Sequence, residues 1–173
     1  ASPELSIDPI HRGLRSELDL EQVGTAIASQ VRWQGGDGAD LARAVAAAAQ
    51  PAIGVRTTGG LSQVVELRPD LDVGELPAAA SQIAVVALHR ALLPRLGLAA
   101  GASTDGTILY RSDPDELLRQ VDSGELTTGI WLPPMPGSLF AAATAEGHVL
   151  PPKSTRFMPK LISGMVWSSH QPD

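Results

Sequence analysis

The spacing of apolar positions along the chain predicts helices and strands in alternation. Leu20, Val23, Ile27 and Val31 recur at helical intervals behind Asp19 and Gln22, which have the form of a capping box, and predict a helix over about residues 20–33. Gly35, Gly36, Asp37 and Gly38 make a turn, after which Asp40 is placed to cap an Ala-rich helix that must stop before Pro51. Two β-rich runs, Ala52 to Thr57 and Leu61 to Leu67, flank Thr58-Gly59-Gly60 and predict a hairpin. Between Leu76 and Leu93 apolar residues occupy nearly every helical face, which predicts a central buried helix with Pro77 in its first turn and Pro94 near its end.

Thr107 to Arg111 alternates like a strand. Asp113, Pro114 and Glu116 then supply an N-cap, a proline at the first helical position and a capping-box acid. Leu117, Leu118 and Val121 form the buried face of that helix and Gly124 its stop. Thr127 to Leu132 reads as a strand, Pro133, Pro134 and Pro136 as an irregular connection, and Ser138 to Ala145 as a short helix ended by Gly147. Strands interspersed with helices imply an α/β (α+β) fold, a mixed sheet with packed helices, in a single domain over residues 1–173.

Composition narrows the function. Apolar residues make up 43% of the chain but aromatics only 3%, so the core is built mainly from Ala, Val, Leu and Ile. The absence of Cys excludes structural disulfides, thiolate zinc sites and cysteine nucleophiles, and accords with a cytoplasmic location. No apolar run approaches the roughly 20 residues that span a bilayer, so no membrane partner is expected. A net charge of -6 disfavours nucleic acid, whose affinity comes largely from Lys and Arg. The chain opens Ala1-Ser2-Pro3 without an initiator Met, and the expectation is a piece of a longer protein, with self-association into a homo-oligomer left open.

Charge is uneven, because no Asp or Glu occurs from Gly147 to Pro172 while Lys153, Arg156 and Lys160 cluster there. Within Pro151-Pro152-Lys153-Ser154-Thr155 the prolines stiffen the approach to an ammonium flanked by two hydroxyls, a composition able to grip a phosphate or carboxylate. It is not a Walker A loop, lacking the glycines that let backbone amides wrap phosphates. The bland alternative is a solvated basic turn. His11 and Arg12 form a second candidate, an acid or base beside an oxyanion clamp, although neighbours on a strand point to opposite faces, so at most one enters a given site and the favoured alternative is an exposed surface pair. His89, among Val85, Val86, Leu92 and Leu93, is expected to be a hydrogen-bonded core residue. His148 and His170 have no partner at metal-ligand spacing, so no metal site is expected, and no Asp or Glu is marked as a catalytic base.

The order of Pro9-Ile10-His11-Arg12, Ala87-Leu88-His89-Arg90, Ile108-Leu109-Tyr110-Arg111 and the ending Pro151-Pro152-Lys153-Ser154-Thr155 with Phe157, Pro159-Lys160 and Gly164 resembles the C-terminal half of an uncharacterised prokaryotic family, domain of unknown function 1015. The resemblance covers essentially the whole chain, with Ile10 where the family tends to have Thr. It implies an N-terminal half, absent here, carrying an Asp-Gly-His-His-Arg motif similar to one in the ParB-like superfamily of DNA-partitioning proteins and free-serine kinases. The family's Lys, Ser and Thr map onto Lys153, Ser154 and Thr155, and its later Pro-Lys onto Pro159 and Lys160. Together with the basic cluster this leads us to expect an anion site at Lys153, Ser154 and Thr155, closed by Lys160 or by His11 and Arg12, for a phosphorylated small molecule or nucleotide. By that analogy the reaction is phosphoryl transfer, with Lys153 stabilising charge on the phosphate. The competing expectation is a non-catalytic module that packs against the N-terminal half or another subunit.

Overall fold

Pro9 and Ile10 separate two short extended runs, β1 (Ser6–Asp8) and β2 (His11–Leu14), in the computed structural model. It describes residues 6–18, 28–32, 37–49, 51–60, 62–67, 73–76, 78–95, 97–98 and 106–160. The elements continue as β3 (Ala28–Arg32), α1 (Gly38–Ala46), β4 (Ala52–Thr57), β5 (Ser62–Leu67), α2 (Ala78–Ser81) and α3 (Ala84–Ala87). A π-helical segment (Leu88–Leu92) then leads into α4 (Leu93–Arg95), followed by β6 (Ile108–Arg111), α5 (Pro114–Asp122), β7 (Thr128–Trp131), α6 (Gly137–Ala145) and β8 (Arg156–Met158).

Six strands form one sheet in the order β3-β5-β4-β7-β2-β6, and β1 pairs separately with β8. Helices pack on this sheet as the alternating pattern implies, and each neighbouring pair of strands runs antiparallel. The hairpin of β4 and β5 lies where the two β-rich runs place it, with Arg56 opposite Ser62.

Both faces of the sheet are covered. One carries Leu14, Ile53, Val55, Val65 and Ile130 against the buried residues of α3, the π segment and α4. The other carries Ala52, Val64 and Trp131 against Leu41 and Val45 of α1 and Leu117 and Val121 of α5. Burial of each large aliphatic side chain contributes ~1.5–3 kcal/mol, so these two clusters are the main source of stability. On the α1/α5 face, Gly129 makes room for an indole: a Cβ there would lie 2.6 Å from the Trp131 ring.

Three sequence expectations are corrected. Residues 28–32 are a strand rather than the end of a helix, because the ladder from Ala28 opposite Leu67 to Arg32 opposite Gln63 outweighs the weak helical preference of a Ser-Gln-Val run. The preceding positions, residues 20–27, lie outside the described residues. The Ala-rich helix is capped by Asp37, whose carboxylate accepts from the Asp40 amide at 2.7 Å, while Asp40 sits at the third helical position and returns the bond. The helix expected over residues 76–93 is broken at Gln82 and Ile83, where Ile83 adopts extended backbone with ψ 116°. A single straight rod could not pack α2 on α6 and α3 on the sheet together. The expected burial holds for its second part, where Ala84 through Leu88 and Ala91 through Leu93 are all buried.

The helix starting at Pro114 is capped as its sequence dictates, with the Asp113 side chain accepting from the Asp115 and Glu116 amides at 2.9 and 3.1 Å. Glu116 turns instead to Arg119, at 2.6 Å. Gly124 and Gly147 end α5 and α6 with φ of 78° and 75°, a left-handed conformation that glycine adopts without steric cost.

Candidate functional site

Alternation along β2 separates the two residues singled out at the start of the chain. Arg12 points toward the π segment and β6, and His11 points to the other face, beside Trp131, with ring centroids 6.4 Å apart. The two cannot close one site together, because strand geometry sends them apart as their alternation implies, and the expected placement on an exposed surface is corrected, since both are buried. The His11 Nδ1 accepts from the Leu132 amide at 3.1 Å, extending the ladder beyond β7. Burial, and then the neighbouring Arg12 charge, push the His11 pKa down to about 4, although Asp113 pulls the other way. His11 is a neutral structural residue at pH 7.

Arg12 is fully buried, and its guanidinium is spent on the chain itself. Nε points to His89 Nε2 at 3.5 Å, Nη1 donates to the Ile10 carbonyl, and Nη2 donates to the carbonyls of Pro152 and Lys153 at 3.2 and 3.1 Å. The Tyr110 ring lies beneath, 4.6 Å from Cζ. No carboxylate pairs with Arg12 among the described residues. Burial without a counter-charge lowers its pKa to about 10, which leaves it cationic at neutral pH. His89, half-buried in the π segment, is held neutral by burial and by the Arg12 charge, with a pKa pushed down to about 4. It meets Arg12 as an acceptor, the hydrogen-bonded role expected for it. Local π geometry recurs at functional sites, and here it sets the residue that touches the buried cation.

The loop that Arg12 holds is the basic stretch of the sequence. Lys153 is exposed and adopts φ 55°, a left-handed conformation unusual for a residue with a side chain. Ser154 Oγ donates to the Pro151 carbonyl at 2.5 Å, closing a turn, so this hydroxyl offers lone pairs but not its proton to a ligand. Thr155 is half-buried and Lys160 exposed, beyond β8. The structure thus brings Arg12, Lys153, Ser154 and Thr155 into one neighbourhood. It leaves His11 on the far side of the sheet.

Next to this loop lies a cleft of about 270 Å³ between the end of α1, the start of α3 and the Pro133–Pro136 connection. Ser154 and Ile10 form part of its wall, and Met135 is tied to β1 by a backbone bond from its amide to the Ile7 carbonyl at 3.1 Å. Among the described residues its lining carries no ionisable side chain, and Gln82 and Ser154 are its polar members. Sequence reasoning missed this cleft and Tyr110. The register that sets Tyr110 opposite Arg12, and the break that brings Gln82 to the rim, are tertiary features without a local signal. No group of three or more His, Asp or Glu able to hold a metal occurs among the described residues.

No protein-family model matches the chain, and no curated protein matches it. Its fold is similar to part of a mutant free serine kinase solved in complex with AMP, with a TM-score of 0.53 at 13% identity. A second structure of a free serine kinase with AMP gives a TM-score of 0.49 at 13% identity. The likeness covers 91% of this chain and 55% of each kinase chain, so the chain spans about half the length of the structures it matches. No helix among the described residues is long and apolar enough to cross a membrane.

Proposed function

We propose that this chain supplies the phosphate-binding part of a nucleotide-dependent site, completed by a further half of a longer protein, and that the reaction served is phosphoryl transfer to a small molecule. The observation that carries the reading is Arg12. It is a fully buried cation without a carboxylate partner among the described residues, and it holds the carbonyls of Pro152 and Lys153. A charge in a low-dielectric interior is screened less than one in water, so its potential adds to that of Lys153, Arg156 and Lys160 at the loop. The loop is favourable to an anion before any ligand arrives. Lys153 is the exposed ammonium that meets the phosphate, Thr155 adds a hydroxyl, and Arg12 is a positioning residue.

The fold likeness to a kinase solved with AMP supports a nucleotide as the source of the phosphate. The chain spans about half the length of the kinase chain whose fold it shares, and we take the catalytic base to come from the further half of the longer protein proposed here. The test is thermal unfolding with phosphate against chloride at matched ionic strength. Phosphate at a hundredfold excess over its dissociation constant adds about 2.7 kcal/mol, and Lys153→Ala abolishes the shift. Lys160→Ala reduces it. Equal shifts in wild type and both variants would mean a solvated turn, and the module that packs without catalysing would replace this reading.

A further inference from the structure

We infer that the cleft beside the loop takes the adenine base of the nucleotide. This rests on the phosphate-site reading above and names the other end of the ligand. The cleft and the loop are parts of one arrangement: Ile10 lines the cleft while its carbonyl accepts from Arg12 Nη1, and Ser154 lines the cleft while its neighbour Lys153 accepts from Nη2. One buried guanidinium fixes both walls.

The chemistry of the lining selects the occupant. A cleft walled by Ile10, Val85, Met135 and prolines, with no ionisable side chain among the described residues, accepts an uncharged, largely apolar body and rejects a phosphate. The cations stand outside it, at the loop. A ligand that satisfies both regions has an apolar ring system at one end and an anion at the other. The volume of about 270 Å³ lies just below the ~300–1,000 Å³ of drug-sized sites, which suits a base more than a larger cofactor. Gln82 is exposed on the rim at the helix break, and its amide offers a donor and an acceptor together, the pattern that pairs with the N6 and N7 edge of adenine. The proline walls lose little freedom when a ligand binds.

The experiment is calorimetric titration of the whole chain with AMP, ribose 5-phosphate and inorganic phosphate. Variants are Ala49→Trp, an exposed lining position where a large ring fills the cleft, Gln82→Ala, also exposed, and Lys153→Ala. Wild type binds AMP roughly tenfold or more tighter than ribose 5-phosphate, the contribution of burying the base against aliphatic side chains. Ala49→Trp brings AMP down to the ribose 5-phosphate level without altering the latter, and Gln82→Ala weakens AMP alone. Lys153→Ala weakens all three ligands. If AMP and ribose 5-phosphate bind equally and both need Lys153, the base assignment is overturned while the phosphate loop stands. If no phosphate compound binds, the phosphate reading fails and takes this inference with it.

Discussion

On the face of the sheet covered by α1 and α5, the core is apolar side chains fitted around Trp131, and the one ionisable residue of β2 there, His11, is neutral. On the opposite face the same strand sends Arg12, equally buried, into contact with His89, Tyr110 and three backbone carbonyls. Adjacent residues of one strand thus serve different ends. The first face is a core that gains by excluding charge. The second keeps a cation at the cost of desolvation, and what it obtains is a loop of fixed shape next to a cleft. A buried cation with no carboxylate partner among the described residues is weak evidence of stabilisation, and it is this observation on which the proposed site rests.

The sharpest way to break this contrast is to remove the cation. Arg12→Ala leaves the carbonyls of Ile10, Pro152 and Lys153 without their donors and opens a cavity between the π segment and β6. A loss of about 4 kcal/mol in urea unfolding is expected, combining cavity and hydrogen-bond contributions. A loss under about 1 kcal/mol would show that the loop keeps its shape by its own prolines.

The second effect belongs to the other face. The His11 imidazole takes a proton near pH 6.5 in the unfolded chain but only near 4 in the folded one, so the unfolded state binds more protons between those values. Stability therefore falls as pH drops from 6.5 to 4, by about 3 kcal/mol from His11, with a smaller part from the less buried His89. His11→Gln should flatten the dependence of the urea midpoint on pH. An unchanged slope would assign the acid sensitivity to other groups.

How much of this was legible depended on how local the determining chemistry is. The start of α5 followed from Asp113 and Pro114, and the hairpin from Thr58-Gly59-Gly60, because each is fixed within a few residues. The stiff basic loop was legible for the same reason. β3 was not, because Val31 continues a helical spacing and only the neighbouring strand decides against it. Nor was the break at Gln82 and Ile83, where apolar residues on all sides leave no polar face to set one axis. The Arg12 contacts could not be read at all. Their acceptors are backbone carbonyls of residues 10, 152 and 153, and a carbonyl has no signature in sequence.

A third prediction sharpens the packing of the apolar face. Gly129→Ala sets a methyl 2.6 Å from the Trp131 ring and 3.1 Å from Val121, neither of which can yield far in a filled core. About 2 kcal/mol of destabilisation is expected from overpacking, measured by thermal unfolding. A neutral result would mean that the indole has room to shift and that this face is less tightly fitted than its burial implies.

The smallest effect on stability tests the most specific part of the contrast. Lys153 holds φ 55°, where a side chain is strained and glycine is not. Lys153→Gly relieves that strain but widens the freedom of the unfolded chain, so the two contributions offset and the midpoint moves by less than about 1 kcal/mol. Lys153→Ala keeps the strain and loses only an exposed side chain, a change within about 0.5 kcal/mol. Both variants lose the ammonium. The loop shape set by Arg12 therefore survives in each, while the stabilisation by phosphate disappears in each. If Lys153→Gly kept the phosphate response, the anion would be held by the backbone turn and the buried Arg12 charge alone, and the role given to the Lys153 ammonium would be wrong.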